Sequence, residues 1–334
     1  MRLVSFVHQR PGHAAPQQTR LGALLDADSV LDLQAAAEQV QGSADPRLWS
    51  MLSLIRGGDT AMGLVRRLIQ EAPQTARRSR QATKLMAPLP IPESIRDFAN
   101  YELHVRQAIR SAMQLRASAA ADPQAAFDGY AQAGLLDVPP VWYEMPLYYK
   151  GNRFSCIGHD QTVEWPDFAE KMDYELELAV VIGRPLRNAT PKEAMDAIFG
   201  YTIFNDFSAR DMQSRETSFR MGPAKGKDFD TGNAFGPCIV TPDEIGDPYK
   251  LRMRVRINGE ELVDTVSGGM QHDIAKCICH VSRSETLYPG EILGMGTLGN
   301  GCGYESLSFL RAGDVVELEV EKIGILRNTL GHRR

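Results

Sequence analysis

The chain has 334 residues, of which 43% are hydrophobic and 24% charged, and its formal net charge is −5. This length allows a large buried core, with room for one large domain and a smaller one. The net charge is slightly negative, and the chain has no long run of Lys or Arg. It therefore lacks the clustered positive charge with which nucleic-acid-binding proteins contact phosphates.

The cellular compartment is predicted from the first residues and the cysteines. The opening stretch MRLVSFVHQRPGH has no apolar core of signal-peptide length, and no segment reaches the roughly 18 apolar residues of a membrane span. The five cysteines form no C-x-x-C pair, which argues against a zinc knuckle and a disulfide framework. We therefore predict a cytoplasmic protein with reduced thiols and no membrane partner.

The first 85 residues alternate short strand-like and helical pieces. We predict strands at 3–7, 21–25 and 30–33, and helices at 33–41, 46–55 and 62–71. The following segment MAPLPIP (86–92) holds three prolines in seven residues, which a helix does not tolerate, and it is typical of a linker. We predict a small N-terminal α+β domain over 1–85 and a larger domain over 86–334.

The larger domain begins with a predicted helix over 98–116. The alanine-rich segment 117–136 is compatible with a surface helix, a mobile lid or an insertion. From residue 139 onward, short β-rich runs separated by turn residues predict packed sheets. Helices are predicted from the capping box at Thr190–Glu193, from a second capped start at Ser208, and over 270–283. This order does not favour a doubly wound nucleotide-binding fold.

Two acids on one predicted strand suggest a cation site. In the strand over 173–182, Glu175 and Glu177 point to the same face, about 7 Å apart, while the alternate residues point into a core. Carboxylate oxygens are ligands that magnesium and calcium prefer. The acids of the strand over 315–323 (Glu317, Glu319 and Glu321) alternate in the same way, and we interpret them as solvent-facing. Alternation alone therefore does not identify a metal site.

Three features elsewhere in the chain add context to these acids. Asp206 ends a predicted strand just before a helix, where polar groups often collect around a ligand; a turn or capping role is the alternative. His104 lies in an apolar helical stretch, where a packed or exposed role is the alternative to a catalytic one. The glycine-rich segment GMGTLGNGCG (294–303) lacks the Lys-Ser/Thr of a phosphate loop and indicates close backbone approach.

Five segments, in order, resemble the fumarylacetoacetate hydrolase family from about residue 97 to residue 328. They are RDFANYELH (96–104), YYKGN (148–152), ELE (175–177), NDFSARDMQ with GPAKGKDFDT (205–213 and 222–231), and GT with GCGYE (296–297 and 301–305). The resemblance implies four metal ligands: Asp97, Glu175, Glu177 and Asp206. It implies a divalent metal cofactor, with Mg²⁺ favoured and Ca²⁺ or Mn²⁺ as alternatives, because zinc prefers His and Cys.

The same resemblance implies a set of catalytic residues. His104 would be the general base, and Glu305 would orient it, because this chain has Gln107 where shorter relatives carry a Glu on the same helix. Lys227 and Gln213 would stabilise a developing oxyanion.

Residues that contact substrate are implied in the same way. Tyr149 and Thr297 match substrate-contacting positions, and Thr231 matches a threonine near the metal. The family arginine that binds the distal end of the substrate has three candidates: Arg106, Arg110 and Arg116.

The resemblance implies an α+β, β-rich fold, a mixed β-sandwich roll preceded by the small N-terminal domain, and a homodimer. It implies a hydrolase that splits a carbon–carbon bond in a 1,3-diketo acid, such as fumarylacetoacetate, fumarylpyruvate or another acylpyruvate, in the catabolism of aromatic compounds. The alternatives are a decarboxylase, isomerase or hydratase of a 2-keto or enol acid. An alternative of another class is a catalytically inactive, metal-bound binding protein.

Overall fold

Three sheets and ten α-helices make up the part of the chain that the computed structural model describes, residues 1–8, 18–219 and 221–333. The strands are β1 (Arg2–His8), β2 (Arg20–Leu24), β3 (Ser29–Asp32), β4 (Arg77–Ser79), β5 (Thr83–Leu85), β6 (Ile95–Phe98), β7 (Tyr148–Gly151), β8 (Cys156–Ile157), β9 (Gln161–Trp165), β10 (Met172–Asp173), β11 (Leu176–Ile182), β12 (Ile198–Asp206), β13 (Ser208–Ala209), β14 (Asn233–Val240), β15 (Arg252–Ile257), β16 (Glu260–Val266), β17 (Ile292–Gly294), β18 (Val315–Val320) and β19 (Gly324–Arg333).

The helices are α1 (Leu33–Gln41), α2 (Met51–Arg56), α3 (Gly58–Glu71), α4 (Glu102–Ala117), α5 (Pro123–Gln132), α6 (Val141–Glu144), α7 (Pro191–Asp196), α8 (Arg210–Ser218), α9 (Pro242–Ile245) and α10 (Ile274–Ser282). Single 3₁₀ turns lie at Pro46–Leu48, Gln74–Ala76, Arg80–Ala82 and Gly303–Ser306. Among the described helices, none is long and apolar enough to cross a membrane. The predicted α+β, β-rich fold class is confirmed.

The largest sheet runs in the order β4-β3-β2-β1-β14-β12-β11-β17-β6-β7, and β5 and β8 join β1 and β14. A second sheet has the order β16-β15-β18-β19-β9, and β10 pairs with β13 alone. Strand β1 pairs with β14, with Arg2 opposite Val240 and Leu3 opposite Ile239. The large sheet is thus continuous across residue 85, and the division into domains at 85/86 stays a prediction.

Strand β11 lies in the interior of the large sheet and is buried along its whole length. Leu176, Leu178 and Val180 belong to one hydrophobic cluster, whereas Ala179 and Val181 belong to the other, which includes the N-terminal helices. This confirms the predicted alternation. Because side chains alternate along a strand, Glu177 shares the face of Ala179 and Val181, and this face is also covered.

Several predicted boundaries are wrong. The predicted helix 98–116 begins only at Glu102, because Ile95–Phe98 form β6, which pairs with both β17 and β7. The predicted helix 46–55 is a 3₁₀ turn followed by α2, and the helix predicted over 270–283 is the shorter α10. The four buried residues of β6 are too few to show the alternation of apolar and polar residues that identifies a strand. The helix predicted from the residues that follow was therefore extended into β6.

Two predicted helix starts have opposite outcomes. The capping box at Thr190 is confirmed: its hydroxyl accepts the Glu193 N–H, and the Glu193 carboxylate accepts the Thr190 N–H. The predicted cap at Ser208 is wrong. Helix α8 begins at Arg210 after Ala209, and the Ser208 hydroxyl donates instead to the carbonyl of Asp206. Segment 117–136 contains α5, none of whose residues is buried.

Candidate active site

Four carboxylates from neighbouring strands converge at one end of the large sheet. Asp97 comes from β6, Glu177 from β11 and Asp206 from the end of β12, while Glu175 stands just before β11. One oxygen atom from each of the four lies within 4.8 Å of the others. All four side chains are buried, so the predicted ligand set is gathered in a single cluster.

A glycine makes this convergence possible. Strand β17 lies between β11 and β6, and its Gly294 pairs with Ala179 on one side and Asp97 on the other. A Cβ atom at Gly294 would lie 2.4 Å from Asp97 Oδ1 and 2.8 Å from Glu177 Oε2. Any side chain here would occupy the space between the two acids. The close backbone approach predicted for 294–303 is confirmed at this residue.

Burial dominates the electrostatics of the cluster. It raises the pKa of Glu177 well above the ordinary value, and the neighbouring Asp97 raises it further. Burial also raises the pKa of Asp206 well above the ordinary value, although Lys227 opposes this shift, and it raises the pKa of Asp97 to about 6. For Glu175, burial is outweighed by Lys227 and Arg210, which together lower the pKa. The positive charge near Asp97 and Glu177 is therefore too small to offset the effect of their burial.

Two oxygens of the cluster have no hydrogen-bond donor among the described residues. Asp97 Oδ1 and Asp206 Oδ1 are fully buried and unpaired. Buried carboxylate oxygens normally have a partner, and a hard divalent cation binds such oxygens directly. A divalent metal ion would supply both the missing partner and the missing positive charge. The residues present thus fit the predicted cofactor.

Lys227, Tyr149 and Thr297 each donate a hydrogen bond to a carboxylate of the cluster. The Lys227 ammonium donates to Glu175 Oε2 at 2.6 Å and to Asp206 Oδ2, and it is buried. The Tyr149 hydroxyl donates to the same Asp206 oxygen at 2.6 Å. Thr297 Oγ1 donates to Glu177 Oε1 at 3.1 Å. Each of these three predicted residues therefore holds a carboxylate of the cluster.

Arg210 belongs to the site but was not predicted. Its buried guanidinium lies 2.7 Å from both Asp173 Oδ2 and Glu175 Oε1, and its Nη1 donates to Gln213 Oε1 at 3.0 Å. Asp173 in turn accepts the N–H of Gly303 at 2.8 Å. Arg210 thus orients Gln213. Through Asp173 it also connects the carboxylate cluster to the loop that carries Glu305. The available signal was its position in the segment NDFSARDMQ (205–213), which also holds the predicted site residues Asp206 and Gln213.

The predicted dyad joins two residues that are 201 positions apart in the chain. His104 Nδ1 lies 2.9 Å from Glu305 Oε1, and Glu305 Oε2 accepts the N–H of Cys302 at 3.1 Å. Only 3% of the Glu305 side chain and 13% of the His104 side chain are exposed. Because Nδ1 is engaged by the carboxylate, the nitrogen left for proton transfer to a ligand is Nε2.

These residues surround a cavity of about 290 Å³. The predicted site residues in its wall are Asp97, His104, Tyr149, Glu175, Gln213, Lys227 and Thr297. An imidazole, a buried ammonium, an amide and buried carboxylates thus face one small space. Such a set can polarise a carbonyl group, accept a proton and stabilise a developing negative charge.

The structure does not bring the predicted arginines to this cavity, nor Thr231. Arg106 pairs with Glu102 at 2.6 Å, and Arg110 stacks over the ring of Phe127, 5.3 Å from its centroid. The third candidate, Arg116, stacks over Tyr130 in α5. Thr231 Oγ1 accepts the N–H of Glu164 at 2.7 Å. Their substrate or metal contacts stay predictions.

Residues 93–331 match the family described as fumarylacetoacetate (FAA) hydrolase C-terminal. YisK, an oxaloacetate tautomerase of Bacillus subtilis strain 168, is 30% identical over 320 residues, covering 93% of this chain and 96% of that protein. The 2,4-didehydro-3-deoxy-L-rhamnonate hydrolase of Sphingomonas sp. strain SKA58 is 36% identical over 193 residues, 57% of this chain and 66% of that protein.

Among solved structures, maleylpyruvate hydrolase from Sphingobium sp. SYK-6, in complex with manganese(II) and pyruvate, aligns with a TM-score of 0.68. The alignment covers 99% of this chain and 100% of that chain at 23% identity, which shows a shared fold. The family match over most of the chain and the nearly full-length relative together show that this protein belongs to the fumarylacetoacetate hydrolase family.

Proposed function

We propose that this protein is a metal-dependent hydrolase that splits the carbon–carbon bond of a small 1,3-diketo acid such as an acylpyruvate. The observation that carries the proposal is the 2.9 Å contact between His104 and the buried Glu305, at a cavity whose wall also holds the carboxylate cluster. A histidine oriented by a buried acid is suited to take a proton from water at neutral pH.

The metal ion, with Mg²⁺ favoured and Mn²⁺ or Ca²⁺ as alternatives, would be held by Asp97, Glu175, Glu177 and Asp206. When bound, it would supply Lewis-acid polarisation of the substrate oxygens. The four acids supply only oxygen ligands, which favours a hard cation.

The other residues act on the reacting atoms. His104 takes a proton from water, and the water oxygen bonds to the acyl carbonyl carbon. The Lys227 ammonium and the Gln213 amide stabilise the oxyanion that forms there. The carbon–carbon bond then breaks with its electron pair on the keto-acid fragment, and His104 returns the proton to that carbon. The products are a carboxylic acid and a 2-keto acid, and the base is restored.

A second candidate is tautomerisation of a 2-keto acid such as oxaloacetate. It is favoured by the 30% identity to a tautomerase that spans 93% of this chain. The same His104 would move a proton between carbon and the enol oxygen, with no water consumed. The homodimer, the cytoplasmic location and the role in aromatic catabolism accompany these proposals as predictions.

The test is to incubate the purified protein and Mg²⁺ or Mn²⁺ with acetylpyruvate, fumarylpyruvate, fumarylacetoacetate and oxaloacetate, following enol absorbance together with product identity. Hydrolysis predicts stoichiometric formation of two acids from a diketo acid. Faster loss of oxaloacetate enol with no new product would instead select the tautomerase, and release of carbon dioxide would select a decarboxylase.

His104→Ala should lower kcat by about 10²–10⁴-fold, the usual contribution of a general base, while Mn²⁺ binding by calorimetry is retained. The exposed His332 offers a matched control, and His332→Ala should leave kcat unchanged. Metal binding without turnover of any substrate by the unmodified protein would select the inactive binding protein.

A further inference from the structure

Three side chains of different chemistry meet behind the catalytic cavity. His104 Nδ1 lies 2.9 Å from Glu305 Oε1 and 3.9 Å from Cys302 Sγ. One ligand atom from each of the three lies within 4.8 Å of the others. A nitrogen, a sulfur and an oxygen ligand are thus gathered at one point. The proposed mechanism uses His104 and Glu305, whereas the Cys302 thiol, which accepts the backbone N–H of Glu305, takes no part in it.

The spacing of these atoms fits a tetrahedral ion. Zinc binds His nitrogen at about 2.0–2.1 Å, Cys sulfur at about 2.3 Å and carboxylate oxygen at about 2.0–2.2 Å. In a tetrahedron these bond lengths give ligand-to-ligand distances of about 3.4–3.6 Å. The observed N–O and N–S distances of 2.9 and 3.9 Å lie within about half an ångström of those values, and the sulfur and oxygen atoms lie within 4.8 Å of each other.

A second cavity gives access to this group. It has a volume of about 550 Å³, and its wall includes Cys302, Glu305, Gln107 and Asn300. The residues described around this cavity and those around the catalytic cavity have no member in common. Cys302 and Glu305 therefore border a space other than the catalytic cavity, and this space is the route that we assign to the ion.

We propose that His104, Cys302 and Glu305 form an inhibitory site for Zn²⁺ or a similar thiol-binding cation, distinct from the carboxylate cluster. Ligand chemistry separates the two sites, since thiolate and imidazole suit zinc whereas an all-carboxylate set suits harder ions. Binding releases the Cys302 thiol proton to solvent and replaces the hydrogen bond between His104 and Glu305 by two bonds to the ion.

Inhibition follows from the histidine tautomer. An ion on Nδ1 leaves the neutral ring protonated on Nε2, the nitrogen that faces proton transfer. The ring then holds no free lone pair and does not accept a proton from water or substrate. This part rests on the function proposed for His104, whereas formation of the site does not.

The site itself is tested spectroscopically. The Mg²⁺-saturated protein is titrated with Co²⁺, and the near-ultraviolet charge-transfer absorption of a Co²⁺–thiolate bond is recorded. The carboxylate cluster contains no sulfur and gives no such band. The band should form in the unmodified protein and in Cys279→Ala, the matched control, and should be absent from Cys302→Ala and Cys302→Ser. No band in the unmodified protein, or a band that persists in both Cys302 variants, overturns the proposal.

Inhibition is measured in the same variants with Zn²⁺ at saturating Mg²⁺. Removal of the thiol should raise the Zn²⁺ concentration for half-inhibition by at least about 10-fold, the lower bound even for outer-shell metal contacts. Thermal unfolding of both Cys302 variants identifies any loss of folding. Equal inhibition of all variants places zinc in the carboxylate cluster and overturns the inhibitory site. If no substrate is turned over, the function proposed for His104 fails, and the cobalt band still decides whether the site exists.

Discussion

The same Glu-x-Glu pattern occurs at the start of β11 and along β18, in different surroundings. Glu177 on β11 is fully buried between two hydrophobic clusters, and its carboxylate contacts an acid, a hydroxyl and a backbone N–H. Glu317 and Glu319 on β18 are half-buried and face arginines on β15. Equal local patterns therefore do not lead to equal chemistry.

The partner strands explain the difference. Strand β15 reads RMRVRI, so its alternate arginines stand opposite the acids of β18, with Arg254 opposite Glu319 and Arg256 opposite Glu317. The strands beside β11 offer Phe204 and Gly294 near Glu177 instead. A buried acid without a cation beside it is costly unless a metal ion binds there. Arginines thus balance Glu317 and Glu319 on β18, whereas no cation pairs with Glu177 in the candidate metal centre among the described residues.

The largest effect that separates the two regions is expected for their arginines. Arg210→Met would leave Asp173 buried without a cation and Glu175 with Lys227 alone, which should lower the free energy of unfolding by about 3–5 kcal/mol. Urea denaturation of the Mg²⁺-loaded protein measures this loss. A loss no larger than that of Arg256→Met would show that the two regions do not differ in this respect.

The next effect concerns metal affinity. Glu177→Gln should weaken Mn²⁺ binding by at least about 100-fold, because loss of a ligand exceeds the 10–100-fold effect of outer-shell partners. Isothermal titration calorimetry measures the affinity. Glu319→Gln has the same chemistry on the other strand and should bind Mn²⁺ as the unmodified protein does. Equal weakening of both variants would remove the distinction between the strands.

Stability against pH gives a third comparison. Burial raises the pKa of Asp97 from 3.8 to about 6, and those of Glu177 and Asp206 are raised well above their ordinary values. Without metal, the folded protein holds protons that the unfolded chain has lost. Its stability should therefore fall as the pH rises from about 4 through 6.

The measurement for this third comparison is the Tm of chelator-treated and Mg²⁺-loaded protein at pH 5 and pH 7. The difference in Tm between the two preparations should be at least about 2 °C larger at pH 7 than at pH 5. A stability change of about 1 kcal/mol shifts the Tm of a large domain by that amount. A gap that is the same at both pH values would mean that the buried acids are not linked to metal binding.

The smallest effect is expected on the second sheet. Glu317→Gln breaks a partly exposed contact with Arg256, measured at 3.2 Å, and should change the free energy of unfolding by less than about 1 kcal/mol. Urea denaturation at low and high salt checks this, because exposed ion pairs are screened. A larger loss of unfolding free energy would show that this contact on β18 contributes more to stability than its partly exposed geometry predicts.

Local patterns in the sequence were sufficient for much of the fold. Helix α1 and the capping box at Thr190 agree with prediction, since each depends on neighbouring residues alone. Strand β6 was missed because its four residues are defined by pairing with β17 and β7, which lie far away in the chain. Asp97 was therefore assigned to a predicted metal site through the family resemblance, not through its predicted element.

The candidate site shows the same limit. Glu305 lies 201 residues from His104, and no spacing rule joins two residues at that separation. Arg210 was missed because its partners, Asp173 and Glu175, are brought to it by sheet register rather than by position on one helix. The resemblance supplied residue types, whereas charge balance and orientation depend on the folded contacts.

The pairing of β1 with β14 also affects how this chain is made. During synthesis, the strand near residue 2 emerges first, and its partner near residue 240 follows after roughly 10–50 s at ordinary elongation rates. For that period the early strand has β2 on one edge, whereas on the other edge β5 pairs only with Phe6–His8, and Arg2 and Leu3 have no partner. Unpaired strand edges recruit other chains, so this part of β1 is open to pairing with another nascent copy until β14 has been synthesised.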